Sequence, residues 1–169
     1  EDFNVNEIYG IIRADGRSLD VSKETILNQS YQSKNIHLIF NLWYKDFDYN
    51  PSYENNLPQI DHIFPQSALR SIKIPNPDTG AKNILKYKIS ERNQIANCML
   101  LSQGENGAGG KSDMLPNEWF KNKSDKYLQK HLIPTDSNLW ELENFELFIE
   151  ERKKLIVDKF SKIILKEEF

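Results

Sequence analysis

Two adjacent side chains, Asp61 and His62, stand out because they bring a carboxyl and an imidazole group into an otherwise apolar segment. Residues 59–64 have the composition of a strand that ends at Pro65, so the segment is predicted to be β-structure. Burying an acid beside an imidazole costs free energy unless the groups are paired or bound to a metal. Polar residues that conflict with apolar surroundings in this way indicate a functional site.

Further elements are predicted downstream of this strand. A second strand is expected over residues 96–102, followed by a flexible, glycine-rich loop at residues 103–110 that contains Asn106. A helix is predicted over residues 116–123, since its first residue is a proline, and Ser124 is expected to open another short helix. The order along the chain is therefore strand, strand, helix.

This order of elements and side chains resembles the HNH, or ββα-metal, nucleases. The motifs Asp-His-Ile-x-Pro-Gln-Ser and Gly-Lys-Ser-Asp-x-x-Pro are similar to the HNH domain of the CRISPR RNA-guided DNA endonuclease. The C-terminal nuclease domain of the GmrSD-type, modification-dependent restriction proteins is similar to more of the chain, from about residue 58 onward. The shared positions are Asn97-x-x-Leu-Leu-Ser-x-x-x-Asn106, His131-Leu-Ile-Pro134, Trp140, Phe145, Phe148 and Arg152.

The resemblance implies an α+β fold in which a ββα-metal core is embedded in a mostly helical domain. It also implies a metal-dependent endonuclease that hydrolyses DNA in bacterial restriction or anti-phage defence. Proteins of the GmrSD type pair the nuclease domain with an N-terminal nucleotide-hydrolysing domain, which is therefore an expected partner. The start at Glu1 rather than Met agrees with a portion excised from such a longer protein, and equally with a trimmed N-terminus.

The chemistry explains why an imidazole is needed. A phosphodiester repels nucleophiles through its own charge, so a catalyst needs a base that activates water and a cation that takes up charge. His62, with an unperturbed pKa of roughly 6.5, can accept a proton near neutral pH. The resemblance gives Asn97 a bracing role at the loop between the strands, in support of catalysis.

The expected metal ligands are Asp61 and Asn106, whose oxygens favour Mg²⁺, or Mn²⁺ in its place. The spacing in the GmrSD-type domains selects Asn106. In the CRISPR enzyme, however, the metal-binding asparagine corresponds to Ala108 of this chain. Glu105 and Asp113 therefore stay open as alternatives for the second ligand.

The charge distribution predicts a phosphate-binding surface in the middle of the chain. The overall charge is −3, but residues 1–60, 61–130 and 131–169 carry −4, +4 and −3. A basic middle between acidic flanks suits a nucleic-acid partner. The candidate phosphate contacts are Lys111, Lys121, Lys123 and Lys126.

The flanking segments are predicted to be helical scaffold. Apolar residues at helical spacing predict helices over residues 21–28 and 35–47 and a long amphipathic helix over residues 142–166. Residues 71–88 are dense in turn formers and are expected to be an inserted surface loop. The proposed divisions are an N-terminal helical segment (1–57), an HNH nuclease core (58–130) and a C-terminal helical scaffold (131–169).

Composition excludes several other classes of protein. The single cysteine, Cys98, lies in an apolar run and is expected to pack in the core, so this chain can build neither a disulfide framework nor a cysteine-ligated zinc site. No apolar run approaches the roughly 20 residues that span a bilayer. A soluble, cytoplasmic protein is therefore expected.

Two rival interpretations stay open. The chain could be a catalytically inactive nucleic-acid-binding or assembly module with the same fold. It could also keep the chemistry and act on RNA, since no residue type decides against a ribonuclease.

Overall fold

The computed structural model describes residues 21–44, 58–106 and 109–161, together with Ala14. The fold is α+β, as predicted. Its α-helices are α1 (Lys23–Leu27), α2 (Ile36–Trp43), α3 (Gln66–Ser71), α4 (Ile89–Asn93), α5 (Gln103–Asn106), α6 (Pro116–Trp119), α7 (Asp125–Lys130) and α8 (Phe145–Phe160). Its strands are β1 (Gln59–His62), β2 (Lys73–Pro75), β3 (Lys82–Leu85) and β4 (Cys98–Leu101). Single turns of 3₁₀-helix lie at Ile95–Asn97, Ser137–Trp140 and Leu142–Asn144.

The centre of the fold is an antiparallel ribbon of β1 and β4. In its register Gln59 lies opposite Leu101 and His62 lies opposite Cys98. All of β4 is buried, including Cys98, whose thiol pKa burial raises to about 12. The predicted core packing of Cys98 is thereby confirmed. Helix α5 contacts both strands, whereas α6 packs mainly against the turn Ser137–Trp140.

Between β1 and β4 the chain forms α3, a second antiparallel hairpin of β2 and β3, and α4. The inserted surface loop predicted over residues 71–88 is therefore wrong in its secondary structure, because the exposed segment forms two strands. The turn-forming residues occupy only the tip of the hairpin, which is closed by hydrogen bonds from Asn76 N to Ala81 O (2.8 Å) and from Gly80 N to Asn76 O (2.7 Å). Gly80 has a φ of +70°, which a glycine adopts without strain.

The C-terminal helix α8 carries much of the core. Its buried side chains include Phe145 and Phe148, whose rings meet the ring of Phe64 edge-on at centroid distances of 5.2 and 5.0 Å. The predicted amphipathic helix is confirmed over residues 145–160, but a 3₁₀ turn replaces its first residues. Residues 162–166 of that prediction lie outside the described part of the chain.

Arg152 ties α8 to the ribbon although it is completely buried. Its guanidinium donates to the carbonyls of Ala96 (2.9 Å), Cys98 (2.8 Å), Leu132 (3.1 Å) and His131 (3.0 Å). Burial lowers its pKa to about 10, so the group keeps its charge at neutral pH. One side chain thus joins three stretches of the chain.

The helices before the ribbon agree with the predicted pattern. Ile36, Ile39, Phe40 and Trp43 form the buried face of α2, while His37 is exposed. Residues 45–47 of the predicted second helix lie outside the described residues. Among those described, no helix has both the length and the apolar character needed to cross a membrane.

Candidate active site

His62 is the last residue of β1 and is half-buried. Its Nε2 lies 3.0 Å from Oδ1 of Asn93, at the end of α4. Its ring stacks on the ring of Tyr31, with centroids 4.5 Å apart and planes inclined by 25°. Tyr31 is held there by its backbone, because Tyr31 N donates to Asn93 O (2.7 Å). The imidazole is therefore fixed in both position and plane.

A short chain of hydrogen bonds assigns the tautomer of His62. Arg70 Nη2 donates to Oε1 of Gln66 (3.0 Å), so the other end of that amide is the donor Nε2. Gln66 Nε2 donates to Oδ1 of Asn93 (2.6 Å), which makes Oδ1 the acceptor. His62 Nε2 then faces an acceptor, Asn93 Oδ1, at 3.0 Å and a donor, Gln66 Nε2, at 3.2 Å, and we assign the ring hydrogen to Nε2 because the contact with the acceptor is shorter. The lone pair of the neutral ring is consequently on Nδ1.

The surroundings of His62 also favour its neutral form. Burial lowers the pKa of His62, and the positive charges of Lys111 and Arg70 lower it further. The hydrogen bond to Asn93 and the charge of Asp61 oppose this shift without reversing it. An imidazole that is neutral near pH 7 can accept a proton, as a general base must.

Asp61 lies on the opposite side of β1, as adjacent strand residues must. Its Oδ2 is 2.8 Å from Nζ of Lys111, which is fully buried, whereas the Asp61 side chain is 18% exposed. The same Nζ donates to the backbone carbonyl of His62 (2.5 Å). Burial lowers the pKa of Lys111, and the Asp61 carboxylate opposes that shift. The lysine therefore links the two predicted functional residues.

Two glycines allow Lys111 to reach this position. Gly109 has a φ of +88°, and a Cβ at Gly110 would collide with the carbonyl group of Glu105. The chain passes close enough to α5 for Lys111 N to donate to Glu105 O (2.6 Å). The observed partners of the Lys111 ammonium are Asp61 and the His62 carbonyl. Its contact with a phosphate stays a prediction.

Asn97 braces the turn that follows β1. Its Oδ1 accepts from Phe64 N (2.9 Å), and its Nδ2 donates to Phe64 O (3.1 Å) and Arg92 O (2.8 Å). Its own carbonyl accepts from Ile63 N (2.8 Å). The completely buried side chain thus holds the segment directly after His62 against the start of β4. Asn97 touches the backbone rather than the imidazole.

Asn106 is the last residue of α5, so the predicted flexible loop is wrong for residues 103–106. A capping box starts this helix: Glu105 N donates to Ser102 Oγ (3.3 Å), and Ser102 N donates to Glu105 Oε2 (3.1 Å). Asn106 Nδ2 donates to Gln59 Oε1 (2.8 Å). Gln59 shares a face of β1 with Asp61, because alternate residues of a strand point the same way. The amide therefore lies beside the Asp61 face.

The remaining predicted phosphate contacts lie on α7 and the segment before it. Lys121 and Lys126 are exposed. The Lys123 ammonium sits 3.7 Å from the centre of the Trp119 ring and 4.8 Å from that of Tyr127. Ser124 caps α7 by accepting from Tyr127 N (3.3 Å), as predicted.

The family model described as GmrSD restriction endonucleases, C-terminal domain, matches residues 17–159. The chain belongs to this family. Membership makes it a GmrSD nuclease domain of the restriction-endonuclease type. No curated protein matches the chain. The match also begins well before residue 58, so the resemblance includes the segment that carries Tyr31.

Three side chains that contact His62 were not predicted from the sequence: Tyr31, Gln66 and Asn93. Gln66 had a signal, because it belongs to the Asp-His-Ile-x-Pro-Gln-Ser motif and lies four residues after His62. Asn93 and Tyr31 had none, since each is 31 residues from His62 in sequence. Only the folded chain brings them to the imidazole.

The side chains around Asp61 determine whether the site can bind a metal ion. Among the residues described, no three His, Cys, Asp or Glu side chains cluster as a ready-made metal site. Asp61 Oδ2 is nevertheless buried, and its partner among the described residues is the Lys111 ammonium at 2.8 Å, which leaves the carboxylate further lone pairs. A carboxylate oxygen with unused lone pairs suits a hard cation such as Mg²⁺. The site therefore fits a metal at Asp61, with Asn106 nearby, while Glu105 is engaged by Ser102 and Asp113 is exposed.

Proposed function

We propose that this GmrSD domain is an HNH-type, metal-dependent endonuclease that hydrolyses DNA phosphodiester bonds. The observation that carries the proposal is the orientation of His62. Its Nε2 is engaged by Asn93, while its Nδ1 makes no hydrogen bond with another residue described by the structure. A half-buried, neutral imidazole with an available lone pair is suited to take a proton from water.

The chain's own residues then share the work of hydrolysis. His62 Nδ1 accepts a proton from the attacking water, whose oxygen forms a bond to phosphorus as the bond to the leaving oxygen breaks. Asn93 and Tyr31 keep the ring in place during this transfer, and Lys111 holds the His62 carbonyl and the Asp61 carboxylate. Asp61 and Asn106 are the residues that would hold Mg²⁺ or Mn²⁺, which when bound stabilises charge on the phosphoryl and leaving oxygens.

Membership of the family supports the substrate and the biological role that we propose. Restriction endonucleases act on DNA, and the basic middle of the chain supports a polyanionic substrate. Exposed Lys121 and Lys126 are the proposed backbone contacts, with Lys123 beside them. A role in restriction or anti-phage defence, together with an N-terminal nucleotide-hydrolysing domain, completes the proposal.

The decisive experiment compares two histidine variants. His62→Ala should reduce plasmid nicking in Mg²⁺ by at least about 100-fold, because it removes the general base. His37→Ala is the matched control, since His37 is exposed on α2, and it should cut like the parent. Thermal melting of each variant checks that the fold is retained.

Other outcomes would favour the rivals. A His62→Ala variant that cuts as well as the parent contradicts the assignment of the base. A parent that binds DNA with or without EDTA, but yields no product in Mg²⁺ or Mn²⁺, is a binding module. Cleavage of RNA but not DNA by the parent makes the domain a ribonuclease.

A further inference from the structure

The β2–β3 hairpin has no core of its own. Every residue of both strands is exposed, and none belongs to the buried core of the described chain. Ile74, Ile84 and Leu85 are 42%, 38% and 41% exposed, and Ile74 lies opposite Ile84 on one face. Two-stranded ribbons are marginally stable alone, and exposed apolar side chains on such a ribbon indicate a partner.

The charge of the hairpin says what kind of partner it suits. Residues 73–88 contain four lysines and a single acidic residue, Asp78, at the tip. Lys73, Lys82 and Lys88 are exposed and form no ion pair with another residue described by the structure. The ribbon itself has Lys73 and Lys82 against Asp78, and with Lys86 and Lys88 directly after it residues 73–88 carry a net charge of +3. On a chain whose net charge is −3, this basic segment is complementary to a polyanion.

The base of the hairpin is firmly anchored. Lys86 N donates to Ile72 O (3.0 Å), and the Lys86 ammonium pairs with Glu146 of α8 (3.0 Å). The next residue, Tyr87, is buried with its ring edge-on to Phe145 at 4.8 Å. The base of the ribbon is therefore attached to α8, the helix that carries much of the core.

The hairpin also lies close to the candidate active site. Helix α3 starts at Gln66, which contacts both Asn93 and His62, and ends two residues before Lys73. Six helical residues span roughly 9 Å at 1.5 Å per residue. The base of the ribbon is therefore within reach of a duplex that has one phosphate at His62.

Resting on the proposed endonuclease function, we propose that the β2–β3 hairpin is a DNA-binding arm that lies in the major groove of duplex DNA. That groove is about 12 Å wide and admits a two-stranded ribbon. Ile74 and Ile84, which share one face of the ribbon, meet apolar groups such as thymine methyls, while Lys73, Lys82 and Lys88 contact the flanking phosphates. The deep, narrow major groove of A-form RNA would not accept it.

Two variants test the arm. The first combines Lys73→Gln with Lys82→Gln, and its matched control combines Lys23→Gln with Lys159→Gln, which neutralise exposed lysines on α1 and α8. The second replaces residues 73–85 by Asn-Gly, because Ile72 and Lys86 are already hydrogen-bonded and a two-residue turn can join them. Binding to a B-form DNA duplex and an A-form RNA duplex is measured by fluorescence anisotropy in a His62→Ala background.

Both hairpin variants should bind DNA at least about tenfold more weakly, and the double lysine variant should reduce the salt dependence by up to about two charges. The control should bind like its parent, and affinity for the RNA duplex should change little. Unchanged DNA binding by the hairpin variants, or an equal loss for DNA and RNA, would overturn the proposal.

The experiments distinguish an error in the DNA-binding arm proposal from an error in the proposed nuclease function. If the hairpin variants bind normally while cleavage by the parent depends on His62, the arm is wrong and the nuclease stands. If the parent never cleaves but its DNA binding depends on the hairpin, the arm stands and the nuclease is wrong.

Discussion

At the scale of single residues, the site depends on how one imidazole and one carboxylate are held. His62 is oriented by Asn93 through Nε2 and by Tyr31 through its ring face. Asp61 is neutralised by Lys111, a cation that the fold buries completely. Sequence analysis could select Asp61, His62 and Asn97 by residue type and order. It could not select their partners, because those contacts join positions far apart in sequence.

Asn93→Ala should lower the turnover rate of DNA nicking by roughly 10- to 100-fold, because His62 loses the acceptor that fixes its tautomer. The affinity for duplex DNA should stay unchanged, since Asn93 is buried and touches no substrate. Single-turnover nicking and anisotropy give the two values separately. A loss of binding with an unchanged rate would show that Asn93 does not position the base.

Lys111→Met should lower the melting temperature when divalent ions are chelated, because Asp61 is left without its buried cationic partner. Added Mn²⁺ should stabilise this variant more than it stabilises the parent, since a metal at Asp61 then replaces the missing charge. Lys126→Met, at an exposed position, is the control. Equal stabilisation of parent and variant would place the metal away from Asp61.

At the scale of elements, segments with a clear composition or period were predicted well, whatever their length. The α8 helix has a helical period and the two four-residue ribbon strands have apolar, strand-forming compositions, whereas α4 and α5 have five and four residues and depend on their caps. The Ser102-x-x-Glu105 capping box was present in the sequence but was masked by the glycines around it. The hairpin was missed because its tip is so rich in turn formers.

Gly110→Ala should destabilise the domain by at least about 2 kcal/mol, because its Cβ would collide with the backbone of α5. Gly104→Ala is the opposite case. A Cβ there meets nothing within 4 Å, so the helix should gain roughly 0.5–1 kcal/mol. Urea denaturation measures both changes. Equal effects of the two substitutions would contradict the close approach at Gly110.

At the scale of the whole molecule, the N- and C-terminal segments complete the ribbon rather than merely flank it. Tyr44 of the N-terminal segment lies 2.9 Å from Nδ1 of buried His131, and Arg152 of α8 bonds to the His131 carbonyl. The contacts among Tyr44, His131 and Arg152 could not be predicted from sequence, because a buried polar cluster has no periodic pattern. Its histidine makes stability depend on pH.

Burial lowers the pKa of His131 to about 3, from an ordinary value of 6.5. His131 therefore binds a proton in the unfolded chain at a pH where it stays neutral in the folded chain. As a result, the free energy of unfolding decreases as pH falls below 6.5 toward 3. Between about pH 7.5 and pH 5 this group should cost about 2 kcal/mol. His131→Gln should lose correspondingly less over that interval, whereas His37→Gln, at an exposed position, should behave like the parent. Urea titrations at both pH values measure the difference, and parallel losses in all three proteins would contradict it.

The contact between Tyr31 and His62 has a practical consequence for protein engineers. Tyr31, the aromatic lid on the imidazole, precedes the ribbon in sequence. Backbone hydrogen bonds join residues 29–31 to residues 93–95. A transplanted cassette of residues 58–130 would keep the signature motif and lose the lid. Fusions built around this nuclease should therefore retain the chain from residue 21 at least, because the shorter piece would carry a histidine free to swing.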